Sequence, residues 1–387
     1  MTTILVGGVI ANKCLNAGAI WTRLSWVLGV RRLGFDVHFV EQIAPECCVD
    51  DAGNATSFEE SANLSAFKAV TEQFDLTNAA TLIYGNGDRT HGLTKLELLD
   101  LADSADLLIN ISGHIQWEPL FRRPSRRLYL DLDPGFTQFW HAAGDAGARL
   151  AGHDLFYTIG ENIGRSGCLI PLGGVPWRTT RQPVVLDEWP AVRLAAIGPF
   201  TTVASWRGPY GPIETGGKTL GLKVHEFRKV IELPQRVPHT FELALDIHPA
   251  DEKDLVSLYR YGWSVANPRV VAATPDAFRR YVQQSGAEFS VAQGVYVETE
   301  SGWFSDRTTR YLASGKPALV QDTGFSRNYP VGDGLIAFRT LDEAIAGAER
   351  IIRDYLSHCR AARQIAEAYF DSNRVIGTLM EELGLTP

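Results

Sequence analysis

"TILVGGVIANKCLNAGAIWTRLSWVLGVRRLGFDVHFV" spans residues 3–40 and contains one complete unit of an α/β fold. The apolar run Thr3–Val6 stops at Gly7-Gly8. Apolar residues then recur at helical spacing up to Gly34, which is suited to ending a helix, and Phe35–Val40 is predicted as a second strand. A strand, a glycine loop, a helix and a strand in this order predict parallel strands joined by a crossover helix.

The alternation of strands and helices continues on both sides of a proline-rich stretch near residues 172–190. Before this stretch, the sequence predicts strands at Ala80–Tyr84, Leu107–Ile111, Leu128–Leu132 and Phe156–Ile159, and a helix at Leu93–Leu101. After it, the sequence predicts strands at Thr201–Trp206, Phe241–Ile247, Phe289–Ala292 and Ala318–Gln321, and helices at Leu222–Glu232, from Pro275 behind the N-cap Thr274, and from Leu341 onward. We interpret the proline-rich stretch as a linker between two Rossmann-like domains that face a central cleft.

The composition is that of an ordinary globular protein. The chain has 387 residues, 45% of them hydrophobic and 21% charged, and its net charge of −8 is unlike that of a nucleic-acid binder. Five irregularly spaced cysteines without Cys-x-x-Cys predict neither a zinc site nor a disulfide framework. The N-terminus resembles a first strand rather than a signal peptide, and no apolar run is long enough to span a membrane, so we expect a cytoplasmic protein.

Polar residues follow several predicted strands, where open parallel sheets bind ligands. Gly7 and Gly8 follow the first strand, with Asn16 further along the loop. This loop is either a structural turn or a wall of the cleft, and Gly-x-Gly-x-x-Gly is absent. The other residues at strand ends are Asp88, His114, Asp133, Arg207 and Asp322-Thr323-Gly324. Each could instead cap a loop or face solvent.

The segment SGWFSDRTTRYLASGKPALVQDTGF, residues 301–325, places Ser305, Asp306 and Arg307 in the first turn of a predicted helix. A phosphate could bind at this positive helix end with help from Arg307, while Asp306 could accept ribose or sugar hydroxyls. The sequence also allows a purely structural role, with Ser305 as N-cap and Asp306 paired with Arg310.

The region from about Ser285 to Tyr369 contains AEFSVAQGVYVETESGWFSDRTTRYLASGKPALVQDTGF and resembles the C-terminal half of a GT-B glycosyltransferase of the broad group 1 type. In such enzymes a helix, a Gly-x-Pro corner and a strand form much of the nucleotide-sugar site. The resemblance therefore implies donor contacts from Ser305, Asp306 and Arg307, and from Asp322-Thr323-Gly324.

An earlier segment, TTVASWRGPYGPIETGGKTLGLKVHEF, fits the same resemblance, which implies that Arg207, Lys218 and Lys223 hold the donor diphosphate. One feature departs from the family pattern. Many retaining members carry two glutamates separated by seven residues, and Gly302 and Arg310 stand at the corresponding positions here. The sequence therefore leaves open whether the reaction retains or inverts the donor configuration.

The resemblance implies three parts of the chain: an acceptor-binding Rossmann-like domain at 1–175, a donor-binding Rossmann-like domain at 190–365, and a last helix within 366–387 that returns to the first domain. It implies a metal-independent hexosyltransferase that uses a nucleotide sugar, such as a UDP-sugar, as cosubstrate and has no other cofactor. The acceptor, the donor sugar, the base and the oligomeric state are not fixed.

An inverting reaction would need a base for the acceptor hydroxyl. His114 is the first candidate because it follows an apolar strand and titrates in a suitable range. Asp88, His91 and Asp133 are alternatives, and a retaining enzyme would not need such a base. The aromatic residues Trp21, Trp26, Trp117, Phe136 and Trp140 could form an acceptor cleft or simply belong to the core.

Other functions fit the same two-sheet frame. A sugar-nucleotide epimerase, a phosphorylase and a non-catalytic nucleotide-sugar binding protein are the alternatives. A pyridoxal-dependent phosphorylase requires a buried lysine, and none of the few lysines lies in a recognisable cofactor context.

Overall fold

The first half of the chain forms an eight-stranded sheet. The structure, a computed structural model, describes all 387 residues. The strands are β1 (Thr3–Gly7), β2 (Asp36–Ile43), β3 (Ala80–Tyr84), β4 (Arg89–His91), β5 (Leu107–Ile111), β6 (Arg127–Asp131), β7 (Leu155–Thr158) and β8 (Arg178–Thr179). The helices are α1 (Ala17–Arg32), α2 (Ala62–Gln73), α3 (Lys95–Ser104), α4 (Glu118–Phe121) and α5 (Phe136–Ala142). The strand order is β4-β3-β2-β1-β5-β6-β7-β8, and only β4 is antiparallel to its neighbour.

The second half forms a six-stranded parallel sheet and a small hairpin. Its strands are β9 (Phe200–Ser205), the hairpin strands β10 (Ile213–Thr215) and β11 (Lys218–Leu220), β12 (Phe241–Asp246), β13 (Ser264–Ala266), β14 (Ala287–Ser290), β15 (Ala318–Gln321) and β16 (Leu335–Phe338). Its helices are α6 (Lys223–Arg228), α7 (Leu233–Arg236), α8 (Glu252–Arg260), α9 (Pro268–Val271), α10 (Pro275–Gln284), α11 (Gly294–Glu298), α12 (Asp306–Ala313), α13 (Leu341–Arg353), α14 (Tyr355–Ile365) and α15 (Ser372–Glu382). The sheet order is β13-β12-β9-β14-β15-β16.

Each parallel sheet reverses its strand order at its first strand. β1 lies between β2 and β5, and β9 lies between β12 and β14. In sheets of this kind the connections leave such a strand in opposite directions, which opens a crevice beyond its carboxyl end. The topology therefore directs attention to the loops that follow Gly7 and Ser205.

The two halves are joined by two chain crossings that are hydrogen-bonded to each other. The Val184 N–H donates to Phe370 O at 2.8 Å, and the Ser372 N–H donates to Val184 O at 2.9 Å. Beyond the second crossing, α15 packs against α1. There the Gly29 backbone approaches so closely that an added Cβ would lie 2.4 Å from Ile376.

Most of the predicted strands and helices are confirmed within a few residues. Thr274 is the N-cap of α10, with Pro275 at its first position, and Gly34 adopts a positive φ of 90° just after α1. The predicted helix Leu222–Glu232 is wrong in extent, since α6 ends at Arg228 and a separate short helix follows. Strands β4, β8, β13 and β16 and the β10–β11 hairpin were not predicted, and all of these strands except β16 have only two or three residues, too few for a pattern.

None of the helices is both long and apolar enough to cross a lipid bilayer.

Candidate functional site

A cavity of about 580 Å³ lies between the two sheets. Its first wall is formed by the loop after β1, the start of α1 and the end of β6, and its second wall by the end of β9 and the first turns of α6 and α12. Five of its lining side chains are basic (Lys13, Arg23, Lys223, Arg269 and Arg307), and three are acidic (Asp133, Asp246 and Asp306). The cavity is therefore a basic region in a chain whose net charge is −8.

Arg307 is fixed on the second wall by contacts within the C-terminal sheet. Its Nε donates to the Glu288 carboxylate at 2.7 Å, its Nη1 donates to Val203 O at 2.9 Å, and its Nη2 donates to the Ser290 hydroxyl. Glu288 lies on β14 and is fully buried, with one carboxylate oxygen that has no hydrogen-bond partner. The guanidinium is thus held in one position at the cavity by three partners, one of which, Glu288, pairs with its charge.

Lys223 is the first residue of α6 and lies beside Arg307. Its ammonium forms no salt bridge, and its backbone N–H donates to Gln293 at 2.6 Å, which fixes the start of the helix. Burial and then the charge of Arg307 lower the pKa of Lys223 to about 7, against the opposing effect of Glu288. A nearby anionic ligand would stabilise the protonated form of this lysine and raise its pKa.

Asp306 contacts the opposite half of the protein. Its Oδ2 accepts from the Thr22 hydroxyl at 2.6 Å and also from Arg310. Burial opposes its ionisation, but Arg310 and Thr22 outweigh this effect, and the pKa of Asp306 lies below its usual value. The predicted pairing with Arg310 is present, while Oδ1 makes no hydrogen bond within the protein.

The loop after β1 has its backbone donors occupied by a buried carboxylate. Glu41, at 0% exposure, accepts from the N–H groups of Ile10 at 2.7 Å, Ala11 at 2.8 Å and Asn12 at 2.8 Å. Burial raises the pKa of Glu41 to about 7 despite these bonds. Because an internal acid takes these donors, this loop does not offer the backbone phosphate site found in many Rossmann-like domains.

Arg23 lies on α1 between the two walls. Its Nη1 donates to Ala19 O at 3.2 Å, and its buried Nε has no partner. Burial lowers its pKa, while Asp133, Asp306 and Glu41 oppose this shift without forming a salt bridge to it. Arg23 is the main site residue that the sequence analysis missed. The available signal was a charged residue within an apolar helix, and Glu41 and Glu288 carry the same signal within apolar strands.

Asp133 follows β6 and lines the cavity. The Tyr296 hydroxyl from the opposite half donates to its Oδ1 at 3.5 Å. Burial and then the neighbouring Asp131 raise the pKa of Asp133 to about 6, although Arg23 favours the ionised form. Asp131 itself is occupied by Thr137, Gln138 and Thr158, so Asp133 is the available carboxylate at this strand end.

The other candidates for the base lie outside the cavity. Asp88 is exposed in the turn between β3 and β4, at the outer edge of the sheet, and His91 ends the edge strand beside the Phe67 ring. His114 lies closer to the cavity, but burial and then the charges of Arg23, Arg149 and Lys13 lower its pKa to about 3. Such a weakly basic imidazole is a poor proton acceptor, so among the candidates Asp133, which lines the cavity, fits the role of base better than His114.

Two of the three predicted diphosphate ligands also lie outside the cavity. Arg207 is half exposed and forms a salt bridge with Asp251. Lys218 is exposed at the start of β11, where the hairpin holds it in solvent. Lys223 is therefore the one member of that group that lines the cavity.

The loop Asp322-Thr323-Gly324 is occupied by structural contacts. Asp322 accepts from Arg339 and Ser326, the Thr323 hydroxyl donates to Trp303 O at 2.6 Å, and Gly324 O accepts from Asn162 of the first half at 3.0 Å. These residues do not line the cavity, and their side chains and backbone are engaged within the protein, including a contact between the halves.

The remaining predicted residues have mainly structural roles. Ser305 is the N-cap of α12 and accepts from the Arg307 N–H, and Asn16 is the N-cap of α1 but also lines the cavity. Gly7 and Gly8 are buried beneath the loop, where an added Cβ on Gly8 would lie 2.8 Å from the Arg23 side chain. Gly8 therefore leaves the space in which Arg23 lies.

The predicted aromatic cleft divides into two groups. Trp21, Trp26 and Trp117 are buried in the core. Phe136 and Trp140 instead pack against Tyr210 of the opposite half, with ring centroids 4.9 and 4.7 Å away. This second group closes the cleft beside Asp133.

No group of three or more His, Cys, Asp and Glu side chains is arranged to hold a metal ion.

Comparisons with known proteins identify the fold. No protein-family model matches the sequence, and no curated protein matches it. Among solved structures, the chain is similar to an alpha-glucosyltransferase in complex with UDP, at 9% identity over 100% of both chains with a TM-score of 0.61. It is also similar to a sucrose-phosphate synthase from Thermosynechococcus elongatus, at 12% identity over 99% of both chains with a TM-score of 0.55. Anabaena HepE in complex with UDP is likewise 12% identical over 99% of this chain and 100% of that chain, with a TM-score of 0.55. The chain therefore has the GT-B fold, two Rossmann-like domains facing a cleft, as its sequence predicted.

Proposed function

We propose that this protein is a glycosyltransferase that moves a sugar from a nucleoside diphosphate donor to an acceptor hydroxyl. The observation that carries the proposal is the basic cavity between the two sheets, with Lys223 and Arg307 together on one wall. A cavity of about 580 Å³ accommodates a small organic ligand, and two adjacent cations suit a diphosphate. Two proteins of the same fold were solved with UDP.

In this proposal the residues on the second wall bind the donor. Lys223 and Arg307 contact the diphosphate, and the free Oδ1 of Asp306 accepts a hydroxyl of the donor. When the bond between the anomeric carbon and the phosphate oxygen breaks, its electron pair leaves with the nucleoside diphosphate. The two cations stabilise that developing charge in a partly dry site, so that the reaction proceeds without a metal ion.

The residues on the first wall bind the acceptor. The oxygen of the acceptor hydroxyl bonds to the anomeric carbon, and Asp133 takes the proton of that hydroxyl. A direct displacement of this kind inverts the configuration at the anomeric carbon. A pKa of about 6 leaves Asp133 ionised at neutral pH and still basic enough for this role. The acceptor is a small molecule or glycan rather than a nucleic acid, since the net charge is −8.

The test is nucleotide release from a panel of nucleotide sugars, with and without acceptors. We expect UDP release that depends on an acceptor and continues in EDTA. Lys223→Gln should weaken donor binding in calorimetry, whereas Lys218→Gln on the exposed hairpin should not. Donor binding without release under any condition would indicate a non-catalytic binding protein. Absence of nucleotide-sugar binding would exclude the proposed function.

A further inference from the structure

The first wall of the cavity carries basic residues beyond those that a donor diphosphate requires. Lys13 and Arg23 line the cavity from this side, and Arg149, which does not line it, packs against Gly113 in the turn that contains His114. None of the three forms a salt bridge, whereas Arg307 on the second wall is paired with Glu288. Of the three carboxylates near Arg23, two are engaged elsewhere: Glu41 accepts three backbone N–H groups, and Asp306 accepts from Thr22 and Arg310. The third, Asp133, forms no salt bridge, and its single negative charge cannot balance three cations.

Arg149 is held in place by an unfavourable backbone conformation. Its φ of 55° lies in the left-handed region, which non-glycine residues rarely adopt. It packs against the turn after β5, where an added Cβ on Gly113 would lie 2.7 Å from the Arg149 Cβ. A strained position that presents an exposed, unpaired arginine is typical of functional sites.

His114 lies among these three cations and follows Gly113 in the same turn. Burial, followed by the charges of Arg23, Arg149 and Lys13, lowers its pKa, so the ring is neutral at physiological pH. A neutral imidazole can donate one hydrogen bond without adding a fourth charge. Three cations and one neutral donor therefore lie around a small region in which Asp133 is the one nearby carboxylate that neither a salt bridge nor backbone N–H groups engage, so the region keeps an excess of positive charge.

We propose that the acceptor is itself an anion, with a phosphate or carboxylate group that binds Lys13, Arg23 and Arg149 beside His114. This inference rests on the proposed function, because it assigns the donor diphosphate to the second wall and leaves the first wall for the acceptor. Phosphate and carboxylate groups are both compact oxyanions, and either one would be part of the acceptor molecule that supplies the hydroxyl. Charge-assisted hydrogen bonds from arginine suit both phosphate and carboxylate.

The experiment measures anion binding to the intact protein by calorimetry. The protein is saturated with UDP to occupy the second wall, and inorganic phosphate or acetate is then titrated. We expect one of the two anions to bind, and Arg149→Gln to weaken that binding by about tenfold, the usual effect of losing one charge-assisted bond. Arg374→Gln, which removes an exposed arginine on α15 outside the cavity, is the control and should change nothing.

The outcomes separate this inference from the proposed function. If phosphate binds more tightly than acetate, the acceptor is phosphorylated, and the reverse order indicates a carboxylate. Failure of both anions to bind, or equal binding by Arg149→Gln, overturns the inference even when UDP binds normally. If UDP does not bind, the proposed function fails, and the same titrations on Lys223→Gln still determine whether the first wall binds an anion.

Discussion

The loops that follow β1 and β9 occupy equivalent positions in their sheets but differ in how they use charge. After β1, the buried Glu41 accepts three consecutive backbone N–H groups, so that loop is closed to external anions. After β9, no carboxylate accepts a comparable run of backbone N–H groups, although Arg207 in this loop pairs with Asp251. Lys223 and Arg307 line the cavity from the helices beyond. The same topology therefore yields one loop closed by an internal carboxylate and another beside which we propose that a phosphate binds.

The largest expected effect is a loss of turnover when Asp133, on the first wall, is replaced. Asp133→Asn removes the carboxylate that we propose as base, so turnover should fall by about 100-fold or more, while donor affinity stays unchanged. Acceptor-dependent nucleotide release and donor calorimetry measure the two quantities. Asp88→Asn, in the exposed turn at the sheet edge, is the control. Unchanged turnover in Asp133→Asn would indicate a retaining mechanism without a base.

The second prediction concerns the second wall, which we propose binds the donor. Lys223→Gln should weaken nucleotide-sugar binding by about 30-fold, since a charge-assisted contact to phosphate is lost. In the wild type, affinity should decrease as the pH rises through about 7, because the free ammonium loses its proton there. Lys223→Arg should restore binding and remove this dependence on pH. Equal pH profiles for the wild type and Lys223→Arg would contradict this role of Lys223.

The same low pKa of Lys223 predicts that its charge lowers the stability of the folded protein, although the charge favours donor binding. The unfolded lysine keeps its proton up to its usual pKa, whereas the folded one loses it at about 7, so stability should rise with pH between these two values. At pH 7 the variant Lys223→Met should therefore be more stable than the wild type by about 1 kcal/mol, although it binds the donor poorly. Chemical denaturation at pH 7 and pH 9.5 tests this, and the advantage of the variant should shrink at the higher pH.

Removing the internal carboxylate should disturb the loop after β1. Glu41→Gln retains one acceptor oxygen for three N–H groups, so at least one buried donor loses its partner, at a cost of about 1–2 kcal/mol in the free energy of unfolding. Denaturant unfolding measures the cost, and hydrogen exchange at Ile10–Asn12 locates it. Protection of these amides equal to that of the wild type would show that the loop does not depend on Glu41.

The smallest expected effect concerns the contact between the walls. Thr22→Val removes the hydroxyl that donates to Asp306 and keeps the shape of the side chain, which should cost about 1 kcal/mol. A double-mutant cycle with Asp306→Asn isolates the interaction. Additive effects of the two substitutions would show that this contact contributes nothing to holding the halves together.

The sequence predicted the fold well because its signals are local. Runs such as Leu107–Ile109 are continuously apolar, as buried parallel strands often are, and glycine or polar corners follow such strands. Shorter elements such as β13 and the β10–β11 hairpin give too few residues for a pattern. Their positions depend on the sheets against which they pack.

The candidate site was less predictable because it depends on contacts that are distant in the sequence. Asp306 and Arg307 follow from a helix start, but the sequence does not indicate that Thr22 would meet Asp306 from the other half. Position after a strand also did not distinguish Lys223, which faces the cavity, from Arg207, which Asp251 binds elsewhere. Strand ends identify a candidate, but the direction of its side chain is decided by tertiary packing.

The two chain crossings between the halves have a mechanical consequence. Because Val184 is bonded to both Phe370 and Ser372, the crossings form one short two-stranded joint rather than two separate tethers. The chain therefore passes between the halves at one place, and α15, which packs against α1, belongs to the first half. The halves also meet directly where Thr22 donates to Asp306 and Asn162 donates to Gly324 O. The joint at Val184 and these contacts together hold the two walls of the cavity at a fixed spacing.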